Sequence, residues 1–225
     1  MRGGETLAAE GNEIASRTIV IELTLAQAIE RATTLTVGPR RLLGITGCPG
    51  AGKSTLACVL SANVPNSVVV PMDGFHMPNE DLLRLGRRNR KGAPDTFDVE
   101  GYMRHLDHLR HQKPGEVIKA PSYDRLASAP VPGAIVVEAH TPLVISEGNY
   151  LLLDSVPWNA VRLLFDEVWF VDVEDAVRVP RLIARHIEFG KTPEQAREWV
   201  LRSDEANALL VAATRERADA TVRLT

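Results

Sequence analysis

Residues 47–54 read GCPGAGKS, and this stretch decides the fold. It fits the spacing G-x-x-x-x-G-K-[ST] at every fixed position. The apolar run RLLGIT (41–46) before it reads as a short buried strand, and KSTLACVLSAN (53–63) after it suits a helix. Glycines let the backbone wrap so that successive N–H groups point at phosphate oxygens, and the helix N-terminus adds its positive end. Gly47, Gly50, Ala51, Gly52 and Thr55 are therefore expected to cradle a nucleotide. Lys53 would bring a point charge to the β- and γ-phosphates, and Ser54 a hydroxyl to Mg²⁺. The plain alternative is a glycine-rich turn ahead of a helix, and the strand–loop–helix context favours nucleoside triphosphate binding instead. The chain has neither the guanine-reading N/T-K-x-D element of GTPases nor an LSGGQ-like transporter signature.

Working outward, SVVVPM (67–72) reads as a second buried strand, expected beside the phosphate-loop strand. Asp73 stands at its end before a glycine. It could cap a turn, hold a metal or accept a proton, and the carboxyl end of such a strand is where an acceptor would meet the γ-phosphate. Glu147 ends another apolar strand, PLVISEG (142–148), and suits Mg²⁺ or its water shell. AIVVEA (134–139) reads as a strand too, as does the end of VRLLFDEVWFVDV (161–173). TVRL (221–224) is expected as a last edge strand. Helices are expected over 25–35, with Thr24 as N-cap, and from Val99, with Asp98 as cap and Val99, Tyr102, Met103, Leu106 and Leu109 as one apolar stripe. Two more follow, 175–189 and 193–213, broken at Gly190, Lys191 and Thr192. The cation-rich segment 84–98 reads as a long loop. Apolar strands alternating with helices predict an α/β protein, a three-layer α/β/α arrangement with a mostly parallel central sheet and a helical lid over about residues 178–195. Residues 1–16, polar and glycine-containing, are expected as a loose tail before a single domain spanning 17–225.

With 225 residues, 44 % apolar and 24 % charged, the composition is that of a globular domain. A net charge of −3 gives no bias toward nucleic acid or membrane. No run approaches the ~18 apolar residues of a membrane span. The N-terminus lacks the apolar core of a secretory signal, and Cys48 and Cys58 make a poor disulfide framework, so the cytoplasm is the expected compartment.

After the phosphate loop, MDGFHMPN (72–79), RRNRKGAPDTFD (87–98), APSYD (120–124), VISEGNYLL (144–152) and RLIARHIEFGKT (181–192) occur in that order. The set resembles the superfamily of phosphoribulokinase, uridine kinase and bacterial pantothenate kinase. Its D-G-F-x-x-P-N and R-K-G-x-P-x-x-[FY]-D elements are most similar to the pantothenate kinase branch and its small relatives, some named fructose transport system kinase. The resemblance covers residues 40–215, leaving the tail and first helix outside. It implies Asp73 as the base that orients or deprotonates the acceptor hydroxyl. It also implies Lys91 near the transferring phosphoryl group, and Asp98 and Tyr123 lining the acceptor pocket. Asn149 and Tyr150 are expected to face the acceptor, Asn207 to reach the ligands from the lid side, and His76 to contact substrate or merely the sheet edge. Arg181 and Arg185, one helical turn apart, suit a lid helix that brings guanidinium groups to ATP. A homodimer is implied by analogy alone.

Other features have plainer readings. His105, His108 and His111 recur at three-residue spacing, yet they flank an apolar stripe and are expected on a solvated or half-exposed helix face. Cys48 sits among backbone N–H groups that could lower its pKa, although a small side chain at a tolerant position is the simpler account. The expected function is an ATP- and Mg²⁺-dependent kinase acting on a hydroxyl of a small metabolite, with no nucleic-acid or membrane partner. A sugar or polyol is preferred as acceptor, with pantothenate or a nucleoside such as uridine as alternatives, since Tyr102 and Tyr123 are the chief rings for stacking a base. A nucleotide-dependent regulatory ATPase is the alternative of another class, and a switch would have no need of Asp73 or Lys91.

Overall fold

The computed structural model describes residues 20–224, and the expected tail at 1–16 lies outside them. In chain order the strands are β1 (Ile21–Leu23), β2 (Arg41–Thr46), β3 (Ser67–Val69), β4 (Val117–Asp124), β5 (Ala129–Glu138), β6 (Leu143–Glu147), β7 (Glu167–Asp172) and β8 (Ala220–Arg223). The α-helices are α1 (Leu25–Thr34), α2 (Lys53–Asn63), α3 (Asn79–Arg84), α4 (Val99–Arg110), α5 (Asp175–Glu188), α6 (Pro193–Trp199) and α7 (Glu205–Ala212). Six strands form one parallel sheet in the order β1-β8-β7-β2-β6-β3.

The sheet is covered on both faces, and the period-2 alternation of its strands shows how. In β2, Leu42 joins one apolar cluster, while Leu43 and Ile45 join the other. In β7, Val168 and Phe170 face the first cluster, and Trp169 and Val171 the second. The first cluster is closed by the α4 stripe, Val99, Tyr102, Leu106 and Leu109, and by Val211 of α7. The second is closed by Ala28 and Ala32 of α1 and by Leu56, Ala57 and Leu60 of α2. These are the three layers expected. Sequence-read helix ends hold as well: Thr24 forms a capping box with Gln27, and Asp98 Oδ1 accepts from Gly101 N at 2.8 Å.

Several expectations are corrected. TVRL is no edge strand, because β8 lies between β7 and β1; β1 is the edge and α1 covers one face of the sheet. SVVVPM yields only the three-residue β3, half-buried at the sheet edge beside β6 rather than beside the phosphate-loop strand. AIVVEA is part of β5, which pairs antiparallel with β4 in a separate ribbon. Pro130 and Pro132 in β5 and Pro121 in β4 lack the N–H a central strand must donate, so this pair cannot enter the main sheet. The long segment before α4 contains two short 3₁₀ turns, Arg88–Arg90 and Pro94–Thr96. Among the described residues no helix is long and apolar enough to cross a membrane.

Candidate active site

The carboxyl ends of β2, β6 and β3 open on one edge of the sheet, the place where parallel α/β sheets bind ligands. From β2 the chain turns through the phosphate loop into α2. Gly47 has φ +149°, and a Cβ there would stand 2.7 Å from the Val171 carbonyl oxygen. Gly50, at φ +82°, leaves room for α5, since a Cβ would meet Leu182 Cγ at 2.7 Å and the Arg178 carbonyl at 2.8 Å. The lid helix thus rests directly on the loop. Ala51 is buried under it.

Lys53 is buried, its Nζ donating to the carbonyls of Gly47 at 2.9 Å and Cys48 at 3.1 Å. Burial pushes its pKa down to about 8, opposed by Glu147 and Asp73. Ser54 Oγ donates to Glu147 Oε1 at 2.9 Å. Glu147 is buried at the end of β6, and burial first, then Asp73, raises its pKa. A hydroxyl and a carboxylate in contact form a hard-oxygen pair that fits Mg²⁺, an ion that keeps waters and phosphate oxygens in its shell. A cage of three or more protein ligands is absent among the described residues, and such an ion does not require one.

Asp73 sits in a 3₁₀ turn, Met72–Phe75, just beyond β3. Its carbonyl accepts from His76 Nδ1 at 2.8 Å, which places the imidazole proton on Nδ1. Burial keeps the pKa of His76 below its ordinary value, so the ring is neutral. Arg125, in the turn between β4 and β5, brings Nη2 to 3.7 Å from Asp73 Oδ2.

Two adjoining cavities meet at this edge. One, of about 640 Å³, is lined by Gly50, Gly52, Thr55, Arg181 and Arg185 together with Lys53 and Ser54. The other, of about 320 Å³, is lined by Asp73, His76, Lys91, Tyr123, Glu147 and Asn149. Gly50, Lys53, Ser54, Arg125 and Arg185 border both. The structure therefore brings together most residues singled out from the sequence.

Six line neither cavity, Gly47 and Ala51 within the phosphate loop and four elsewhere. Asp98 is exposed and spends its carboxylate on capping α4. Asn207 is buried on α7 and lines neither cavity. Tyr150 lies in the core, its hydroxyl donating to the Gly92 carbonyl and its ring edge-on to Phe97 and Trp158. Tyr102 is buried with its hydroxyl 2.7 Å from Ser146 Oγ, so it cannot stack a base. Burial raises the pKa of Cys48, in keeping with the simpler reading of a small side chain at a tolerant position. The three histidines on and just after α4 diverge: His105 packs on Phe75, His108 Nε2 lies 2.8 Å from Glu116 Oε1, and Nδ1 of the C-cap His111 lies 3.2 Å from Asp107 Oδ1.

Two arginines escaped the sequence reading. Arg125 directly follows APSYD and carried no motif of its own. Arg178, two turns ahead of Arg185, is buried and bonded to Asp175 at 2.7 Å and to Glu205 at 2.7 and 2.9 Å. It ties α5 to α7 behind the phosphate loop, and nothing local in the sequence marks that partner.

The fold and the site together define a P-loop small-molecule kinase. No protein-family model matches the chain. It is 36 % identical over 185 residues to a Schizosaccharomyces pombe protein named a putative uridine kinase, covering 76 % of this chain and 78 % of that one. The crystal structure of a putative fructose transport system kinase from Silicibacter sp. matches with a TM-score of 0.80 and 34 % identity, over 90 % of this chain and 100 % of that one. A pantothenate kinase of Clavibacter michiganensis is 32 % identical over 170 residues, 70 % of this chain and 53 % of that protein. The chain belongs to the P-loop kinase superfamily that includes uridine kinase and pantothenate kinase, and it is an ATP-dependent phosphotransferase with a hydroxyl acceptor.

Proposed function

We propose that Asp73 aligns and deprotonates the acceptor hydroxyl in the smaller cavity while the larger one holds ATP. The observation that carries this reading is the shared border: Lys53, Ser54 and Arg185 face both cavities, with Asp73 on the acceptor side. As the acceptor oxygen forms its bond to the γ-phosphorus, its proton passes to the Asp73 carboxylate. The bond to the bridging oxygen breaks and ADP takes the electron pair. Lys53, Lys91 and Arg185 neutralise charge on the transferring group. Arg181 lines the nucleotide cavity and Asn149 the acceptor cavity. Ser54 and Glu147 would hold Mg²⁺, which supplies charge neutralisation of the phosphates when bound. ATP as donor supports a cytoplasmic setting.

For the acceptor, a compact polar sugar or polyol is favoured over a nucleoside. Of the two tyrosines, Tyr102 is buried away from the cavity and Tyr123 already packs against His76 at 4.7 Å between centroids; of the other rings on the wall, Phe189 and Trp199, the latter is covered by Lys191 at 4.8 Å. Pantothenate is less favoured, since the match to the pantothenate kinase spans about half of that protein, 53 %. ADP release measured against sugars, polyols, nucleosides and pantothenate tests the proposal. One class should raise turnover well above the basal ATPase; a flat response across the panel would overturn it.

A further inference from the structure

Residues 84–91 carry five cations, Arg84, Arg87, Arg88, Arg90 and Lys91, and the fold sorts them into two groups. Arg84 pairs with Asp81 at 2.8 Å, while Arg87 and Arg90 pair with Asp95 at 3.4 and 2.5 Å. Arg88 and Lys91 instead line the acceptor cavity. Among the described residues, neither has a carboxylate oxygen within 4.0 Å. Lys91 is buried, and its Nζ donates to Asn79 Oδ1 at 2.7 Å and to the Ser128 carbonyl at 2.5 Å. Its Nζ also stands 5.6 Å from the centroid of the Tyr123 ring, and two neutral acceptors and a ring face leave one of its three N–H groups open and its charge without a counter-anion.

The remaining charges on the cavity wall are accounted for. Asp73 faces Arg125 at 3.7 Å, and Asp204 is bonded to His186 at 2.8 Å. Glu147 takes the Ser54 hydroxyl and the field of Lys53. Arg185 also borders the nucleotide cavity, and Lys191 lies over the Trp199 ring at 4.8 Å. Arg88 borders the acceptor cavity alone. Burial chiefly, and the neighbouring Arg88 charge after it, lowers the Lys91 pKa to about 8. A second anion entering with the acceptor would relieve that repulsion, and a neutral sugar would not.

We propose that Arg88 and Lys91 form an anion clamp, so that the acceptor is a compact hydroxyl compound carrying its own carboxylate or phosphate, a sugar acid or sugar phosphate rather than a free sugar. This rests on the kinase reading above and narrows its substrate class. The test compares matched acceptors at fixed Mg·ATP: glycerol, glycerate and glycerol phosphate, then glucitol, gluconate and glucitol phosphate. The anionic members of at least one series should exceed the neutral member in kcat/KM by roughly tenfold to a hundredfold, and the carboxylate and phosphate arms tell the two anions apart. Arg88→Met should remove most of that advantage through KM, with kcat for the anionic acceptor changed less than about threefold. A neutral acceptor preferred over its anionic counterparts refutes the clamp and leaves the kinase reading standing. So does an Arg88→Met loss equal for neutral and anionic acceptors. If no compound in either series raises ADP release above the basal rate while a nucleoside does, the clamp falls and the kinase reading stands; if nucleosides and pantothenate leave it flat as well, both fall.

Discussion

At the scale of single residues, the site depends on two carboxylates held in different surroundings. Asp73 is half-buried beside Arg125 and lines the smaller cavity, the proposed acceptor side, whereas Glu147 is buried and occupied by Ser54. Asp73→Asn should therefore lower kcat by about 10²–10⁴, with the ATP dissociation constant held within roughly threefold because the nucleotide cavity is untouched; a variant turning over at the parental rate would sink the assigned role. Lys53 gives a pH prediction with a definite sign. With a pKa near 8 in the free protein, it is charged below that pH and neutral above. Nucleotide phosphates favour the charged form, so binding raises its pKa and takes up a proton. ATP affinity should be level below pH 7 and weaken as the pH rises through 8, by up to about tenfold per unit. Calorimetry at pH 7 and 9 in buffers of different ionisation enthalpy measures both effects, and an unchanged affinity contradicts the assignment. The lysine was legible from the phosphate-loop spacing, and both carboxylates because each ends an apolar run. Arg125 was not, because only the β4–β5 ribbon carries it to Asp73.

At the scale of elements, helix α5, where the lid is expected, is packed against the phosphate loop. Leu182 and the Arg178 backbone sit against Gly50, and the Arg178 guanidinium joins α5 to Glu205 of α7. Glu205→Ala would leave a buried cation short of its main counter-charge and should cost about 3 kcal/mol, read from the urea midpoint. The same change should reduce kcat, since Arg185 rides on α5; unaltered stability would show that Asp175 alone satisfies Arg178. Helix positions were legible here from periodicity and from the break at Gly190. The ion pair was not, for the two partners are 27 residues apart and no local pattern couples them.

At the scale of the whole molecule, the first strand and helix complete the sheet. Ala28 and Ala32 are fully buried against the α2 face, β1 pairs with β8, and Arg31 binds Glu167 at 2.8 and 3.1 Å. A chain shortened to begin at Val37 should uncover that face and melt roughly 10 °C lower or more, monitored by the near-ultraviolet signal of Trp169; an unchanged melting curve would mean that α1 adds nothing to the core. Local chemistry and periodicity, both properties of neighbouring residues, sufficed for the phosphate loop, the alternation of strands and helices, the helix caps and the two carboxylates at strand ends. They did not determine which strands lie side by side, and misplaced both SVVVPM and TVRL. That order depends on which buried faces and ladders satisfy one another across the chain, so it was packing that placed β6 between β2 and β3, drew β8 into the sheet and set the proline-bearing β4–β5 ribbon apart. The same long-range packing separated Arg88 and Lys91 from the paired arginines around them, a division of charge invisible in a run of five adjacent cations.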